Sequence, residues 1–322
     1  MKKFKKKKEK IVYSAPASLI LTGEQGILYG KPMVGTALDM RVRCSVYPCD
    51  HPSYDQRTQT IITLITHYLQ QSKIRFVDRP FQYSFHSSIP QRGDCVFHAV
   101  SAELASLVSA VLYFFTHTEH TIDVVNNIVY EVEKKIISHP LGFSNTASCM
   151  GGVIYYRKEF AFLKGIYQLF VKIPPVIEDT LFIIDTGKRE EGGQDMISEI
   201  GVFYQKNPRG AEILFNEMEK YTKRMVIAFM KEDVSFFQDT VVRSQNLLEQ
   251  MGVVSEESKK NIKHLSLHAV SKVIGSGGIQ KSSGFLLCSA RDVRQFTQFL
   301  KKSNCVFYKL RQSVHGVRRE FT

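Results

Sequence analysis

The sequence lacks the features that mark membrane, secreted and disulfide-rich proteins. No window approaches the roughly 20 uninterrupted apolar residues of a membrane helix, and the N-terminus carries no apolar stretch of the kind found in a secretory signal. The six cysteines are scattered, and none forms a CxxC pair. This pattern is typical of a cytoplasmic protein with free thiols rather than of a disulfide or metal-binding framework.

The short motifs of the common nucleotide and metal enzymes are also absent. The chain contains no Walker-type phosphate loop, no dinucleotide-binding fingerprint and no HExxH zinc motif. The function therefore cannot be assigned from any one of these motifs. Evidence for function therefore has to come from weaker segments considered together.

Positive charge is concentrated at the N-terminus. The first ten residues hold seven lysines and one glutamate, which is half of the net charge of +12. A lysine run of this kind is usually solvated and disordered, although a nucleic-acid or anionic-membrane arm has the same composition. We favour the solvated tail because no aromatic platform or recognition motif accompanies the run.

The length and composition predict a two-domain α+β protein. The chain has 322 residues, of which 43% are hydrophobic and 23% charged, as in soluble globular proteins. Strand and helix patterns alternate without strict βαβ order, which favours α+β over a doubly wound sheet. We divide the chain into a basic tail, residues 1–10, an N-terminal domain, residues 11–188, and a C-terminal domain, residues 189–322. The two final strands, predicted at 306–310 and 316–321, should pair with each other.

A glycine-rich segment, residues 275–278 (GSGG), lies between an apolar stretch and a predicted strand. Glycines let backbone N–H groups approach an anion closely, and Lys272 and Lys281 would add positive charge. Taken alone, the pattern suits a phosphate-binding loop and a surface turn equally well.

Other polar segments are candidates for a ligand-facing position. Residues 139–152 (HPLGFSNTASCMGG) are predicted as a loop between a helix and a strand, and Glu133 on that helix could either hold Mg²⁺ or face solvent. Residues 185–188 (DTGK) end a predicted strand, and residues 23–26 (GEQG) lie in a turn. By themselves these segments are also typical of ordinary turns.

The order and spacing of four segments resemble mevalonate kinases over about residues 11–320. Residues 15–39 read APASLILTGEQGILYGKPMVGTALD where that family has APGKxILxGEHxVxYGxPAxxxAxD. Residues 139–152 resemble its GxPSGxDNxxxxxGG segment, residues 183–192 (IIDTGKREEG) its (D/T)(T/S)GKxxxT strand end, and residues 272–284 (KVIGSGGIQKSSG) its KxxGAGGGG loop. The first and last motifs are fairly specific to the GHMP superfamily of small-molecule kinases.

The resemblance implies a fold and a reaction. The fold is the two-domain α+β GHMP kinase fold, with an N-terminal domain like domain 2 of ribosomal protein S5, a ferredoxin-like C-terminal domain, and the active site between them. The family reaction transfers the γ-phosphoryl group of ATP to a hydroxyl of mevalonate or a related molecule in isoprenoid biosynthesis, with ATP and Mg²⁺ as cofactors. Homodimer formation stays open.

By position, the resemblance implies candidate site residues. Ser18 stands where the family has its catalytic lysine, and Ser144 where it has the aspartate that activates the hydroxyl. Glu133 occupies the position of a magnesium-ligating glutamate. The implied substrate-binding positions are Glu24, Gln25, Asn145, Thr186 and Lys188. The implied nucleotide-binding positions are Arg92, Gly93, His98, Lys272, Gly275, Gly277 and Gly278.

The segment that departs most from the family is its phosphate loop. The family pattern PxGxGLGSSAA is matched by residues 90–100 (PQRGDCVFHAV), in which three glycines are replaced and the two serines become Phe97 and His98. Glycine allows backbone N–H groups at a helix N-terminus to touch phosphate. The side chains of Val96 and Phe97 would crowd that approach, and Asp94 would add a negative charge.

These substitutions favour a pseudokinase that keeps the fold and a ligand pocket. Loss of one catalytic group commonly lowers a rate about 10²–10⁴-fold, and several groups are replaced here. The alternative is an active ATP-dependent kinase in which Arg92, His98, Lys188 or Lys272 supplies charge to the phosphates. Nucleic-acid binding through the lysine-rich tail is a third hypothesis with little support.

Overall fold

The protein is built from two antiparallel sheets with helices packed against them. A computed structural model describes residues 10–90, 97–137, 140–158, 164–169, 171–188 and 190–321. Neighbouring strands run antiparallel in both sheets. The architecture confirms the α+β prediction and the two-domain GHMP kinase fold.

The first sheet is formed mainly by the N-terminal half of the chain. Its strands are β1 (Ile11–Thr22), β2 (Met33–Pro48), β3 (Phe81–Ser87), β4 (Val153–Lys158), β5 (Lys164–Leu169) and β10 (Arg318–Glu320). They follow the order β10–β1–β2–β4–β5, and β3 also pairs with β2. With 16 residues, β2 is long enough to pair with β4 near its start and with β3 near its end. Strand β1, between β10 and β2, is buried along its whole length.

Four helices pack with this sheet. They are α1 (Gln56–Gln71), α2 (Ala99–Thr116), α3 (Ile122–Ile136) and α4 (Phe143–Met150). Within the described residues, α2 alone is long and apolar enough by composition to cross a membrane. Most of its side chains are buried, and it lies against β1, β2, α3 and α4. Such burial is the signature of a core helix.

The second sheet belongs mainly to the C-terminal half. Its strands are β6 (Leu181–Asp185), β7 (Ala269–Ile274), β8 (Phe285–Ala290) and β9 (Phe307–Lys309), in the order β7–β8–β6–β9. The remaining helices are α5 (Pro175–Glu178), α6 (Gly193–Lys206), α7 (Pro208–Lys231), α8 (Val234–Gln250), α9 (Glu256–Leu265) and α10 (Val293–Lys302). The predicted boundary after residue 188 stays a prediction, and strands from both sides of it take part in each sheet.

The prediction that the two final strands pair with each other was wrong. Strand β9 pairs with β6 in the second sheet, whereas β10 pairs with β1 in the first. Between them the chain crosses from one sheet to the other, and Arg41 holds it there. The Arg41 guanidinium donates to the Ser313 hydroxyl at 3.0 Å and to the Gly316 carbonyl at 2.7 Å.

The segment 139–152, predicted as a loop, contains helix α4. The helix begins after Gly142, whose φ of 85° is readily adopted only by glycine. Its buried face includes Asn145, Thr146 and Ser148, and the Thr146 hydroxyl donates to the Gly142 carbonyl at 2.7 Å. Because these buried residues are small and polar, the apolar period that normally predicts a helix is absent.

Candidate ligand site between the two sheets

Ser18 and His98 are in contact where β1 passes the start of α2. The Nδ1 atom of His98 lies 3.1 Å from both the hydroxyl and the carbonyl oxygen of Ser18. Burial lowers the pKa of His98 to about 4, although its hydrogen bond to the Ser18 backbone acts in the opposite direction. His98 is therefore neutral near pH 7, and it cannot supply the positive charge that the sequence suggested.

Phe97 links the start of α2 to the second sheet. Its ring is 3% exposed and makes edge contacts with Phe285 of β8 and Tyr308 of β9, at centroid distances of 5.3 and 5.8 Å. The ring of the neighbouring His98 packs against Phe143 of α4 at 6.3 Å. These contacts fill the space next to the helix start with side chains. The predicted positions Arg92 and Gly93 lie outside the described residues.

Glu133 is enclosed between α2, α3 and α4. The Ser101 hydroxyl donates to its Oε1 atom at 2.6 Å, and the side-chain amide of Asn145 lies 3.3 Å from its Oε2 atom when oriented to suit its neighbours. Burial raises the pKa of Glu133 to about 7, and the bond from Ser101 opposes that rise. Ser101 was not predicted, although a serine in the first turn of an otherwise apolar helix was a signal for it.

Ser144 lies in α4 beside Asn145, and a serine cannot provide the carboxylate that the family uses at this position. The Asn145 amide contacts the side chain of Asn126 at 2.7 Å. Asp185 is the acid that ends β6, and its Oδ1 atom accepts from the Gly187 N–H at 2.9 Å. One carboxylate oxygen of Asp185 is therefore hydrogen-bonded within the turn that follows β6 of the second sheet.

Glu24 and Lys272 form a buried ion pair that joins the two sheets. The Lys272 ammonium donates to Glu24 Oε1 at 2.9 Å and to the Val273 carbonyl at 2.7 Å. The two side chains are 4% and 1% exposed, respectively. The second carboxylate oxygen of Glu24 is buried and has no hydrogen-bond partner in the described part of the chain. Next to it, Gln25 donates to the Ser276 carbonyl at 3.0 Å.

The glycine-rich segment folds into a tight loop after β7. Gly275 and Gly277 both have φ of 81°, and a Cβ on Gly277 would lie 2.3 Å from the Val253 carbonyl. The N–H of Gly278 donates to that same carbonyl at 3.0 Å. Glycine is therefore required by backbone geometry at residue 277.

A second segment, residues 186–188, 190 and 191, lies against this loop. The Thr186 hydroxyl contacts the Ser282 hydroxyl at 2.9 Å, and Glu191 Oε1 accepts from the backbone N–H groups of Ile279 and Gln280 at 2.9 and 2.7 Å. Lys188 is exposed. The role of Glu191 was not predicted, because sequence alone gives no indication of a contact between residues 88 positions apart.

The structure thus brings most predicted positions to the junction of the two sheets, but it pairs them with one another. Ser18 contacts His98, Glu24 contacts Lys272, and the glycine-rich loop contacts the segment after β6. Within the described residues, no group of three or more His, Cys, Asp or Glu side chains could hold a metal.

Comparison with known proteins identifies proteins that are similar to this chain in sequence and in fold. No family model matches the chain. The chain is 22% identical over 302 residues to a mevalonate kinase of Thermococcus sibiricus, a match that covers 84% of this chain and 87% of that protein. Among solved structures, the mevalonate kinase of Methanococcus jannaschii matches with a TM-score of 0.75 and 14% identity, over 95% of this chain and 99% of that one.

A further solved structure is L. major mevalonate kinase in complex with R-mevalonate. It matches with a TM-score of 0.72 and 17% identity, over 93% of this chain and 95% of that one. The chain is thus similar in sequence to mevalonate kinases, and it has the fold of the GHMP kinases.

Proposed function

We propose that this protein is a pseudokinase that binds a small polar ligand without transferring phosphate to it. The observation that carries the proposal is the start of α2, where Phe97 and His98 stand at the positions of the family's phosphate-loop serines. Phe97 packs against the second sheet, and His98 contacts Ser18. Side chains therefore take up room next to backbone amides that glycine would leave open to a phosphate.

The charges near the helix start also argue against nucleotide binding. Phosphoryl transfer requires cations that neutralise the phosphates. His98 is neutral near pH 7, because burial lowers its pKa to about 4, and the ammonium of Lys272 is paired with Glu24 inside the protein. Related kinases imply ATP by resemblance, but the described residues do not fit it.

At the position of the family's metal ligand the chain keeps a glutamate, but the carboxyl of this glutamate is enclosed by its neighbours. Glu133 and Ser101 offer a carboxyl and a hydroxyl, which are the oxygen donors that Mg²⁺ binds together with phosphates. The Glu133 carboxyl is 1% exposed, has its pKa raised to about 7 by burial, and is already hydrogen-bonded by Ser101. An enclosed carboxyl that already accepts a hydrogen bond does not fit a strongly hydrated divalent ion.

The ligand pocket is supported by the unpartnered oxygen of Glu24. A buried carboxylate oxygen without a hydrogen bond is costly, by about 1–3 kcal/mol, and a ligand hydroxyl would satisfy it. The resemblance also assigns Gln25 and Asn145 to the same ligand. The related L. major enzyme was solved with R-mevalonate, so we propose mevalonate or a similar small hydroxy acid as the ligand.

The second candidate function is an active small-molecule kinase. The observation that favours it is the Glu133–Ser101 pair, which provides a carboxyl oxygen and a hydroxyl oxygen beside the start of α2. In this alternative, rearrangement on binding would expose the pair to Mg²⁺ and nucleotide. Ser144 argues against it, because a serine cannot serve as the general base that the family aspartate provides.

Thermal shift with Mg-ATP and mevalonate, alone and combined, tests the proposal together with an ADP-release assay. We expect mevalonate alone to raise the melting temperature, Mg-ATP alone to leave it unchanged, and no ADP above background. Glu24→Gln should weaken the mevalonate effect, because the amide is a poorer acceptor for the ligand hydroxyl. The matched control is Glu257→Gln, which removes one exposed negative charge from α9.

The outcomes separate the two candidates. ADP release that depends on mevalonate and disappears in Glu133→Ala would establish the active kinase and overturn the proposal. The absence of any melting shift with mevalonate or a phosphorylated isoprenoid would contradict the ligand pocket. An equal loss of response in Glu24→Gln and Glu257→Gln would remove Glu24 from the pocket.

A further inference from the structure

The loop that follows β7 is covered by a short segment of the same chain, which we call the strap: residues 186–188, 190 and 191. Thr186 and Gly187 of the strap hydrogen-bond Ser282, and Glu190 forms an ion pair with Lys281. All of these contacts are polar. They hold the strap against the loop without burying an apolar side chain between them.

Glu191 makes the most specific contact of the strap. One carboxylate oxygen, Oε1, accepts from two consecutive backbone N–H groups, those of Ile279 at 2.9 Å and Gln280 at 2.7 Å. Two successive amides that point at one anionic oxygen form the kind of concave site that binds phosphate in other proteins. Both distances are in the range of charge-assisted hydrogen bonds.

The fold of the loop itself requires glycine next to these amides. A Cβ placed on Gly278 would lie 2.6 Å from the Ser282 carbonyl, whereas its distance of 3.4 Å from the second oxygen of Glu191 is an ordinary contact. The glycine therefore allows the tight turn that presents the two N–H groups, and the chain places its own acid against them.

We infer that Glu191 is an internal substitute for a bound phosphate group, and that the amides of Ile279 and Gln280 take an external phosphate when Glu191 withdraws. The ligand class is a phosphate monoester or inorganic phosphate. Lys281, which is 72% exposed and paired with Glu190, would add positive charge beside the site. The strap therefore acts as an autoinhibitory contact on an anion site.

This inference goes beyond the proposed function and does not depend on it. The proposed function concerns the start of α2 and the pocket around Glu24, whereas the anion site is formed by the loop and the strap. A protein that never turns over ATP can still bind phosphate at Ile279 and Gln280, and an active one can still be held closed by Glu191.

The test compares Glu191→Ala with Glu190→Ala in the full chain. Both variants remove one negative charge from the strap, but only the first empties the amides of Ile279 and Gln280. Inorganic phosphate is titrated at constant ionic strength, with chloride as the reference anion, and the amide NMR signals of the two residues are followed. We expect Glu191→Ala to bind phosphate at least tenfold more tightly than the wild type, and Glu190→Ala to resemble the wild type.

Two results would overturn the inference. The first is a folded Glu191→Ala protein whose Ile279 and Gln280 signals do not respond to phosphate. The second is an equal gain of affinity in Glu190→Ala, since that would reflect net charge alone. If Glu191→Ala does not fold, Glu191→Gln replaces it. The glutamine keeps an acceptor but loses the charge, so phosphate should still displace it more readily than it displaces Glu191.

Discussion

Two places that the resemblance assigns to phosphate binding are closed in different ways. At the start of α2 the glycines are replaced, and the buried ring of Phe97 and the half-buried ring of His98 fill the space. In the loop after β7 the glycines remain, and an acid of the same chain, Glu191, binds the amides. The first closure is part of the core, whereas the second rests on polar contacts that another anion can replace.

The two closures should therefore differ in energy and reversibility. Burying a Phe side chain contributes roughly 1.5–3 kcal/mol to folding, and a cavity left by its removal adds to the loss. Hydrogen bonds and ion pairs near the surface contribute only about 1 kcal/mol each. Opening the start of α2 requires disruption of packing, while opening the loop requires only a competing ligand.

The largest expected effect comes from Phe97→Ala. Its ring is buried against Phe285 and Tyr308, so we expect the free energy of unfolding to fall by about 3–5 kcal/mol. Glu191→Ala removes two hydrogen bonds and should lower it by about 2 kcal/mol. Chemical denaturation of both variants measures the difference.

The control for Phe97→Ala is Phe321→Ala, because Phe321 is 89% exposed. Its removal should change the free energy of unfolding by less than about 0.5 kcal/mol. The contrast between the two closures fails if Glu191→Ala destabilises the protein as much as Phe97→Ala does.

A pH-dependent effect is expected from His98. Burial lowers its pKa in the folded protein to about 4, from 6.5 in the unfolded chain. The folded state thus binds this proton less tightly than the unfolded chain does. The contribution of neutral His98 to the free energy of unfolding is therefore complete above pH 6.5 and is lost as the pH falls through 4. The full loss is about 3 kcal/mol. His98→Asn removes this dependence, and asparagine tolerates the left-handed φ of 49° found at this position.

The measurement is the difference in unfolding free energy between His98→Asn and the wild type from pH 7.5 to pH 4. We expect the free energy of unfolding of the variant to rise relative to that of the wild type as the pH falls. Glu133 provides an internal comparison of opposite sign, because burial raises its pKa to about 7 and its contribution is lost as the pH rises from 4.5 to 7. A constant difference for His98→Asn would show that His98 does not titrate below its ordinary pKa.

Elements with a clear apolar period were predictable from the sequence. The sequence pattern predicts a helix over residues 122–137, and the structure has α3, Ile122–Ile136; it predicts a strand over residues 285–289, and the structure has β8, Phe285–Ala290. Helix α3 has apolar residues at the helical period, whereas β8 is a short apolar run that is buried along its whole length. The order of the four motifs was likewise sufficient to predict the fold.

Contacts between distant residues were not predictable. Helix α4 was missed because half of its buried residues are polar, and the pairing of Glu24 with Lys272 joins residues 248 positions apart. The motif assigned Lys272 to a nucleotide, but the fold placed an acid within 2.9 Å of it. Position in a motif gives the type of residue at a site, while its availability depends on neighbours that only the folded chain provides.

The smallest expected effect tests how much of the α2 closure depends on the Ser18 side chain. His98 Nδ1 lies 3.1 Å from both the Ser18 hydroxyl and the Ser18 carbonyl, and Ser18→Ala removes only the hydroxyl. We expect a loss of about 1 kcal/mol in the free energy of unfolding. By NMR titration, the pKa of His98 should stay near 4, because burial is its main cause.

The matched control is Ser148→Ala. Ser148 is as deeply buried as Ser18, but its hydroxyl has no hydrogen-bond partner in the described part of the chain, so its removal should be neutral or stabilising. If both variants behave alike, the Ser18 hydroxyl adds nothing, and the closure rests on Phe97 and the Ser18 backbone. A loss of 3 kcal/mol or more for Ser18→Ala would instead make the hydroxyl a principal part of it. In that case the residue at the family's lysine position would itself close the site, since the serine would hold His98 over the start of α2.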